Sequence, residues 1–319
     1  AAAEFAGIGL TLLPVAYQRN SHDRPINHPQ KRFIHEDVSD YVELLDRVRE
    51  HNDHLARRPV QVGIAAHSVR ALDKDYLGAL GGLGEAGGYR CHAHVAEQPE
   101  EIRSCVAEHR MRPLEVLAEA GLLSDRFTAV HATHLSENEI RLLGSSGSSA
   151  CICPTTERNL GDGLPKLTEL LEAGCALSIG SDSQVRIDPF AEIRALEDGE
   201  RLRTLSRSVL TNDEGAVAPV LIDAGTRGGR SATGLALGGI EVGQRADLVG
   251  VDLDNAHLEG INLGSEGQDA VLAALVLGGH ASQVCDAWVG GRHIISEGRH
   301  LRWEAAQQGY TAVARRVWA

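Results

Sequence analysis

The sequence predicts an α/β protein: a parallel (β/α)8 TIM-type barrel followed by a small β-sandwich module. Short, almost continuously apolar segments alternate with amphipathic stretches at helical spacing, which is typical of parallel strands buried on both faces. This repeated strand–helix order indicates either a barrel or a doubly wound sheet. No G-x-G-x-x-G follows the first strand, so a nucleotide-binding sheet is disfavoured. The predicted strands are residues 7–14, 60–66, 90–95, 127–132, 150–154 and 176–180.

Helices are predicted between these strands from apolar periodicity and from signals at their starts. Ser136 and Glu139 have the spacing of a capping box, and Pro99 and Pro189 suit the first turn of a helix. The glycine-dense segment 81–88 follows no strand, so we interpret it as a flexible connection and not as a phosphate-binding loop. The predicted helices are residues 38–57, 99–109, 113–120, 136–143, 164–173 and 189–202.

The strand count suggests an incomplete barrel within this chain. Six strands are visible by residue 180, whereas a complete barrel has eight, in about 250 residues. The chain opens at Ala1, and Met111 is its single methionine, so we expect the first two barrel strands to precede Ala1. After residue 240, alternating segments at 241–252 and 287–296 predict hairpin strands, and 303–317 predicts a helix. The expected domains are a barrel (1–237), part of a β-sandwich (238–300) and a C-terminal helix (301–319).

Composition excludes several functional classes. The 319 residues have a formal net charge of −13, which disfavours nucleic acid as a partner. The six cysteines form no C-x-x-C pair, and a chain of this length needs no disulfides. Neither a signal peptide nor an apolar stretch long enough for a bilayer is visible. We therefore expect a cytoplasmic protein that acts on a small molecule.

Polar side chains follow three of the predicted strands, at the end that forms the catalytic face of a parallel barrel. His94 and Glu97 follow one strand, His131 ends the next, and Asp182 follows the last. A histidine ligand beside a carboxylate acid/base suits metal-assisted hydrolysis. Taken singly, each has an ordinary alternative: a surface loop for His94 and Glu97, a structural role for His131, and a helix N-cap for Asp182. Together they favour a metal-assisted hydrolase.

These motifs resemble the amidohydrolase superfamily, in its branch of aminohydrolases. The matching elements are H-x-x-E at 94–97, V-H-x-x-H-L-S at 130–136, P-T-T-E-x-N-L-G-D-G at 154–163 and G-S-D-S at 180–183. Two further stretches, G-G-I-E-V-G-Q-R-A-D-L at 238–248 and W-V-G-G-R at 288–292, resemble β-sandwich strands of the superfamily. Within the branch, A-H-S-V-R at 66–70 and S-D-S-Q at 181–184 are similar to iminohydrolases of histidine degradation.

The resemblance implies deimination of N-formimino-L-glutamate to N-formyl-L-glutamate and ammonia, with one zinc ion per subunit. It implies that His94 and Asp182 are metal ligands and that Asp182 also takes a proton from the metal-bound water. Glu97 would protonate the imino nitrogen and later the departing ammonia, and His131 would either polarise the substrate or hold the hydroxide as the tetrahedral centre forms. His67, Arg70 and Gln184 would bind the substrate, since arginine forms bidentate pairs with carboxylates. Iron and manganese also suit histidine and carboxylate ligands.

One departure from the family pattern affects the expected activity. The H-x-H of the first strand, which provides two metal ligands, has no counterpart: His92 and His94 have this spacing but lie on the fifth strand, and His134 is interpreted as structural. Zinc sites normally have three or four protein ligands, so we expect the 319-residue chain to be a poor catalyst.

Other interpretations remain open from the sequence. One is a sibling aminohydrolase that acts on a guanine-like or triazine ring, although a ring substrate has no use for a carboxylate-binding Arg70. Another is a non-catalytic scaffold protein, built on an amidohydrolase-like barrel that has lost its metal site. Loop 18–33 is predicted with equal weight to cover the substrate or to be a solvated surface loop. A homodimer is expected by analogy with the superfamily alone.

Overall fold

The computed structural model describes residues 2–54, 60–235, 239–254, 260–261 and 268–318. The chain divides into two compact units, Thr11–Leu235 and a second unit made of Ala1–Leu10 with Ala236–Ala319. The first ten residues therefore group with the C-terminal unit and not with the barrel that was predicted to start at residue 1. Within that unit the His300 ring bonds to the carbonyl oxygen of Ala6 at 2.9 Å. The predicted boundary at 237/238 lies outside the described residues.

Six parallel strands form the main sheet, in the order β2-β4-β5-β6-β7-β8. This sequential order is that of a (β/α) barrel, so the predicted fold class is confirmed, with six of eight strands in the part of the chain described. β1 and β3 pair separately, so only β2 of the N-terminal apolar region joins the main sheet. The strands are β1 (Leu10–Leu12), β2 (Val15–Ala16), β3 (Val60–Val62), β4 (Ile64–Ala66), β5 (Cys91–Val95), β6 (Phe127–His131), β7 (Ser149–Ile152), β8 (Ala176–Ile179), β9 (Leu248–Val251), β10 (Val284–Val289), β11 (Arg292–Ser296) and β12 (Arg299–His300).

The predicted helices are present, with ends that shift by a few residues. The helix predicted at 38–57 is described as far as His54, and residues 55–59 lie outside the described part. The helices are α1 (Ala2–Ala6), α2 (Val38–His54), α3 (Lys74–Gly87), α4 (Pro99–His109), α5 (Pro113–Glu119), α6 (Glu137–Ser145), α7 (Pro154–Leu160), α8 (Leu167–Glu172), α9 (Pro189–Thr204), α10 (Ala218–Asp223), α11 (Gly229–Thr233), α12 (Gln268–Gly278) and α13 (Trp303–Val317).

The interpretation of residues 81–88 as a flexible connection was wrong, because all but the last belong to helix α3. Asp73 caps the start of this helix by accepting the N–H of Tyr76 at 2.8 Å. Gly81 lies so close to the carbonyl oxygen of Ala120 that a Cβ would overlap it. The glycines therefore let α3 pack tightly beside the end of α5.

The helical run from α10 to α11 passes through one π-helical turn, Ala224–Gly228, and packs on β8. A Cβ at Gly228 would overlap the carbonyl oxygen of Leu177, so a glycine is required at this approach. In the same helical run, the carbonyl oxygen of Ala232 accepts a hydrogen bond from Nε2 of His92 at 2.8 Å.

The second unit contains a four-stranded antiparallel sheet in the order β12-β11-β10-β9. Gly290 and Gly291, with φ of 56° and 74°, form the β10–β11 turn, where a left-handed backbone favours glycine. The strand predicted at 241–252 is limited to β9, and α13 has the predicted bounds. None of the described helices combines the length and apolar character needed to span a bilayer.

Candidate active site

Three histidine rings from three successive strand ends lie in a row. The ring centroids of His67 and His94 are 5.3 Å apart, and those of His94 and His131 are 5.6 Å apart with nearly parallel planes. His67 follows β4, His94 lies in β5 and His131 ends β6. Because these strands are parallel neighbours, their carboxyl ends place the three rings at one edge of the sheet.

A cavity of about 230 Å³ opens beside this row. His67, Arg70, His94 and Glu97 are among the residues that line it. Loop 18–33 forms part of its wall through Asn20, Ser21, Asp23 and Arg24. Asp182 and Gln184 are exposed and are not among the residues that line this cavity.

His94 is oriented by a bond to the main chain of the neighbouring strand end. Its Nδ1 lies 2.8 Å from the carbonyl oxygen of His67, so Nδ1 donates and Nε2 is left as the ligand atom. Burial lowers the pKa of His94, and the bond to His67 and the charge of Asp182 oppose this only in part. His94 is therefore neutral at neutral pH, which is the form that can bind a metal.

Glu97 and His131 face each other, with Glu97 Oε1 3.7 Å from His131 Nε2. Burial raises the pKa of Glu97, the cation of His131 opposes this, and the charges of Asp162 and Asp182 add to the increase. For His131, burial lowers the pKa, but its hydrogen bond to Glu157 and the nearby carboxylates outweigh burial, so the pKa is raised. Both shifts favour the protonated forms of the two side chains, which can then donate protons as general acids.

Arg70, which also lines the cavity, is held by loop 18–33. Its Nη1 donates to the carbonyl oxygen of Asn20 at 2.7 Å and lies 3.4 Å from the side-chain oxygen of the same residue. His67 beside it is neutral, because burial, together with the nearby His94 and Arg70, lowers its pKa to about 3. The positive charge for binding a carboxylate therefore comes from Arg70, and His67 can contribute only a neutral hydrogen bond.

Several site residues have a left-handed backbone although they are not glycine. Such a conformation costs about 1–3 kcal/mol per residue and persists where the surrounding structure enforces it. At the end of β5, Glu101 enforces it by accepting the N–H groups of Ala96 and Glu97 at 3.1 and 3.0 Å. The residues concerned are Ala96, His131, Ala132, Asp182 and Gln184, with φ between 49° and 70°.

Three residues that shape this site were not predicted from the sequence: Glu101, Glu157 and Asn20. Glu157 was visible as part of the P-T-T-E motif, but the motif does not show that its side chain turns towards His131. Asn20 lies in a loop for which two interpretations were open, and its contact with Arg70 spans fifty positions of the chain. His134 has a structural contact, since its Nε2 lies 2.7 Å from the carbonyl oxygen of Asp162.

The described residues provide fewer metal ligands than zinc requires. Among them, no group of three or more His, Cys, Asp or Glu side chains is arranged to hold a metal ion. His94 and Asp182 are the two candidates, whereas zinc sites in proteins have three or four protein ligands. The part of the chain that is described therefore does not by itself fit a complete zinc site.

Comparison with known proteins identifies the relatives of this chain. The model of the amidohydrolase family matches residues 2–293. A formimidoylglutamate deiminase from Pseudomonas aeruginosa is 37% identical over 98% of this chain and 67% of its own length. A 5-methylthioadenosine/S-adenosylhomocysteine deaminase from Halobacterium salinarum is 32% identical over 69% of this chain and 50% of its own length. The chain thus spans about two thirds of the first relative and half of the second.

Solved structures show the same fold. An amidohydrolase from Brucella melitensis has a TM-score of 0.89 and 34% identity, covering 100% of this chain and 68% of its own. An adenosine deaminase from Xanthomonas campestris with bound zinc has a TM-score of 0.81 and 25% identity, covering 98% of this chain and 67% of its own. These neighbours confirm the resemblance to amidohydrolases, and the bound zinc of the second supports a metal cofactor for the family fold.

Proposed function

Because the chain belongs to the amidohydrolase family, we propose that it takes part in the hydrolysis of N-formimino-L-glutamate to N-formyl-L-glutamate and ammonia. The observation that supports this substrate is the cavity that Arg70 lines together with Glu97 and His94. A substrate with an amidine at one end and carboxylates at the other matches a cavity that contains both acid–base groups and a guanidinium. The 37% identical deiminase supports the same substrate class.

The residues of this chain account for binding and for proton transfer. Arg70 pairs with a substrate carboxylate, and His67 adds a neutral hydrogen bond. Glu97, whose raised pKa favours its protonated form, donates its proton to the imino nitrogen while a water oxygen bonds to the amidine carbon. Asp182 accepts one proton of that water, and the Glu97 carboxylate then takes the remaining hydroxyl proton of the tetrahedral carbon and passes it to the same nitrogen. The C–N bond breaks, the formyl C=O forms, and ammonia leaves. Zinc is the proposed metal, with His94 and Asp182 as its ligands from the described residues.

Two other functions remain as alternatives. A sibling aminohydrolase that acts on a guanine-like or triazine ring would use the same acid–base groups but would offer Arg70 no carboxylate to bind. A catalytically inactive scaffold would explain the incomplete set of metal ligands. Against the scaffold, His94, Glu97 and His131 retain positions and contacts suited to chemistry.

Binding of the product tests the proposal without requiring turnover. Calorimetric titration of the 319-residue chain with N-formyl-L-glutamate should show binding that Arg70→Ala weakens at least tenfold, since a hydrogen bond to a charged group contributes about 1.5–3 kcal/mol. Arg32→Ala is the matched control, because Arg32 stacks on Phe33 and does not line the cavity. Binding of guanine with no binding of N-formyl-L-glutamate would support the ring aminohydrolase instead.

Ammonia release gives the second readout. With N-formimino-L-glutamate and added zinc, any release should be abolished by Glu97→Gln and Asp182→Asn. Ammonia release that persists in both variants would contradict the assigned roles.

A further inference from the structure

Glu157 is a buried carboxylate with two contacts that meet at one oxygen. Its Oε1 accepts the N–H of Cys153 at 2.8 Å and lies 3.2 Å from Nδ1 of His131. The side chain is 4% exposed, and it lies one turn into helix α7, which begins directly after the end of β7. Glu157 thus connects the end of β7 to the histidine that ends β6.

The hydrogen bond from Cys153 indicates which atom is the donor in the contact between Glu157 and His131. An oxygen that accepts a main-chain N–H presents lone pairs, so the nitrogen of His131 that faces it must be the donor. The hydrogen bond made by one ring nitrogen sets which tautomer the neutral ring adopts. Nδ1 of His131 therefore has the hydrogen, and Nε2 is the atom directed at Glu97.

We propose that Glu157 is a positioning residue that fixes the Nδ1–H tautomer and the orientation of His131. The neutral ring then presents a lone pair at Nε2, and the protonated ring presents a hydrogen there, at the atom 3.7 Å from Glu97. The backbone of His131 has a φ of 70°, a conformation that persists only where the surrounding structure enforces it. The catalytic meaning of this arrangement rests on the proposed function, but the tautomer itself does not.

The test is nuclear magnetic resonance of the 319-residue chain labelled with 15N-histidine, at a pH where His131 is neutral. Long-range 1H–15N spectra identify which ring nitrogen is protonated, and loss of a signal in His131→Asn provides its assignment. The wild-type protein should show protonated Nδ1 and unprotonated Nε2. Glu157→Gln should retain this pattern because the amide oxygen can still accept both contacts, whereas Glu157→Met should lose it.

Glu192→Gln is the matched control. Glu192 is a buried carboxylate on α9 that accepts the N–H of Thr155 at 3.0 Å, so it also contacts α7, but it has no contact with His131. The variant should keep the tautomer of the wild-type protein.

A protonated Nε2 in the wild-type protein, or an unchanged tautomer in Glu157→Met, would overturn the proposal. If Glu157→Met does not fold, the wild-type spectrum still decides. Because no substrate or metal is needed, failure here is distinguishable from failure of the proposed function.

Discussion

The guanidinium of Arg70 is oriented by Asn20, which lies in the loop that forms one wall of the cavity. Nη1 of Arg70 donates to the main-chain oxygen of Asn20 at 2.7 Å, and the side-chain oxygen of Asn20 lies 3.4 Å from the same nitrogen. Gln30 stabilises this arrangement, since its Nε2 donates to the Tyr17 hydroxyl at 2.9 Å and to Asn20 Oδ1 at 3.3 Å. One face of Arg70 is thus occupied by the loop, and the rest of the guanidinium can contact a ligand.

This geometry predicts different effects for substitutions of the two residues. Arg70→Lys should weaken binding of N-formyl-L-glutamate by about tenfold or more, because an ammonium cannot form the two parallel bonds of a guanidinium. Asn20→Ala should weaken it by less, within about 1 kcal/mol, since the stronger contact of Arg70 is to the main-chain oxygen and survives. Isothermal titration calorimetry measures both. Equal losses in the two variants would show that the side chain of Asn20 contacts the ligand itself.

The shortage of metal ligands gives a prediction about zinc. With His94 and Asp182 as the two candidates, the 319-residue chain should retain less than one zinc ion per chain after dialysis, and its turnover should be low. Mass spectrometry of metal content before and after dialysis measures this, with Asp182→Asn expected to reduce the content further. Stoichiometric zinc that survives dialysis and is unaffected by Asp182→Asn would show that other residues bind the metal.

The sequence predicted the strand ends more reliably than the contacts between them. His94 and His131 were predicted to lie near each other, because buried parallel strands have a clear apolar pattern and their ends share one edge. The contact of Glu157 with His131 was not predicted, because it depends on how helix α7 turns back over the sheet. Segment 81–88 was misinterpreted for a related reason: glycine has a low helix propensity, and here close packing against Ala120 outweighs it.

Glu101 should make stability depend on pH in a direction unusual for a carboxylate. Burial raises its pKa to about 7 from the ordinary value of 4.5, although two main-chain N–H groups oppose the shift. Between these values the folded chain binds one more proton than the unfolded chain. This contribution to the free energy of unfolding is therefore fully present below pH 4.5 and is lost as the pH rises to about 7.

Urea unfolding at a series of pH values between 5 and 8, on the wild-type protein and Glu101→Gln, measures this dependence. The amide cannot titrate, so the variant should lack the part of the slope that Glu101 produces. Glu100→Gln, at an exposed neighbour on the same helix, should keep the wild-type slope. Parallel pH profiles for wild type and Glu101→Gln would contradict the assignment.

The adjacent glycines Gly228 and Gly229 provide a test of the packing that supports β8. A Cβ at Gly228 would overlap the carbonyl oxygen of Leu177, which is main chain and cannot rotate away. Gly228→Ala should therefore lower the free energy of unfolding by about 1–3 kcal/mol, as overpacking does in other proteins. Gly229 begins α11 and has nothing within 4 Å of an added Cβ, so Gly229→Ala should leave stability unchanged or raise it by up to about 1 kcal/mol. Denaturant unfolding of the two variants measures the difference. Equal stabilities would show that the helical run from α10 to α11 can move away from β8 without cost, and that its contact with Leu177 contributes little to the sheet beneath the site.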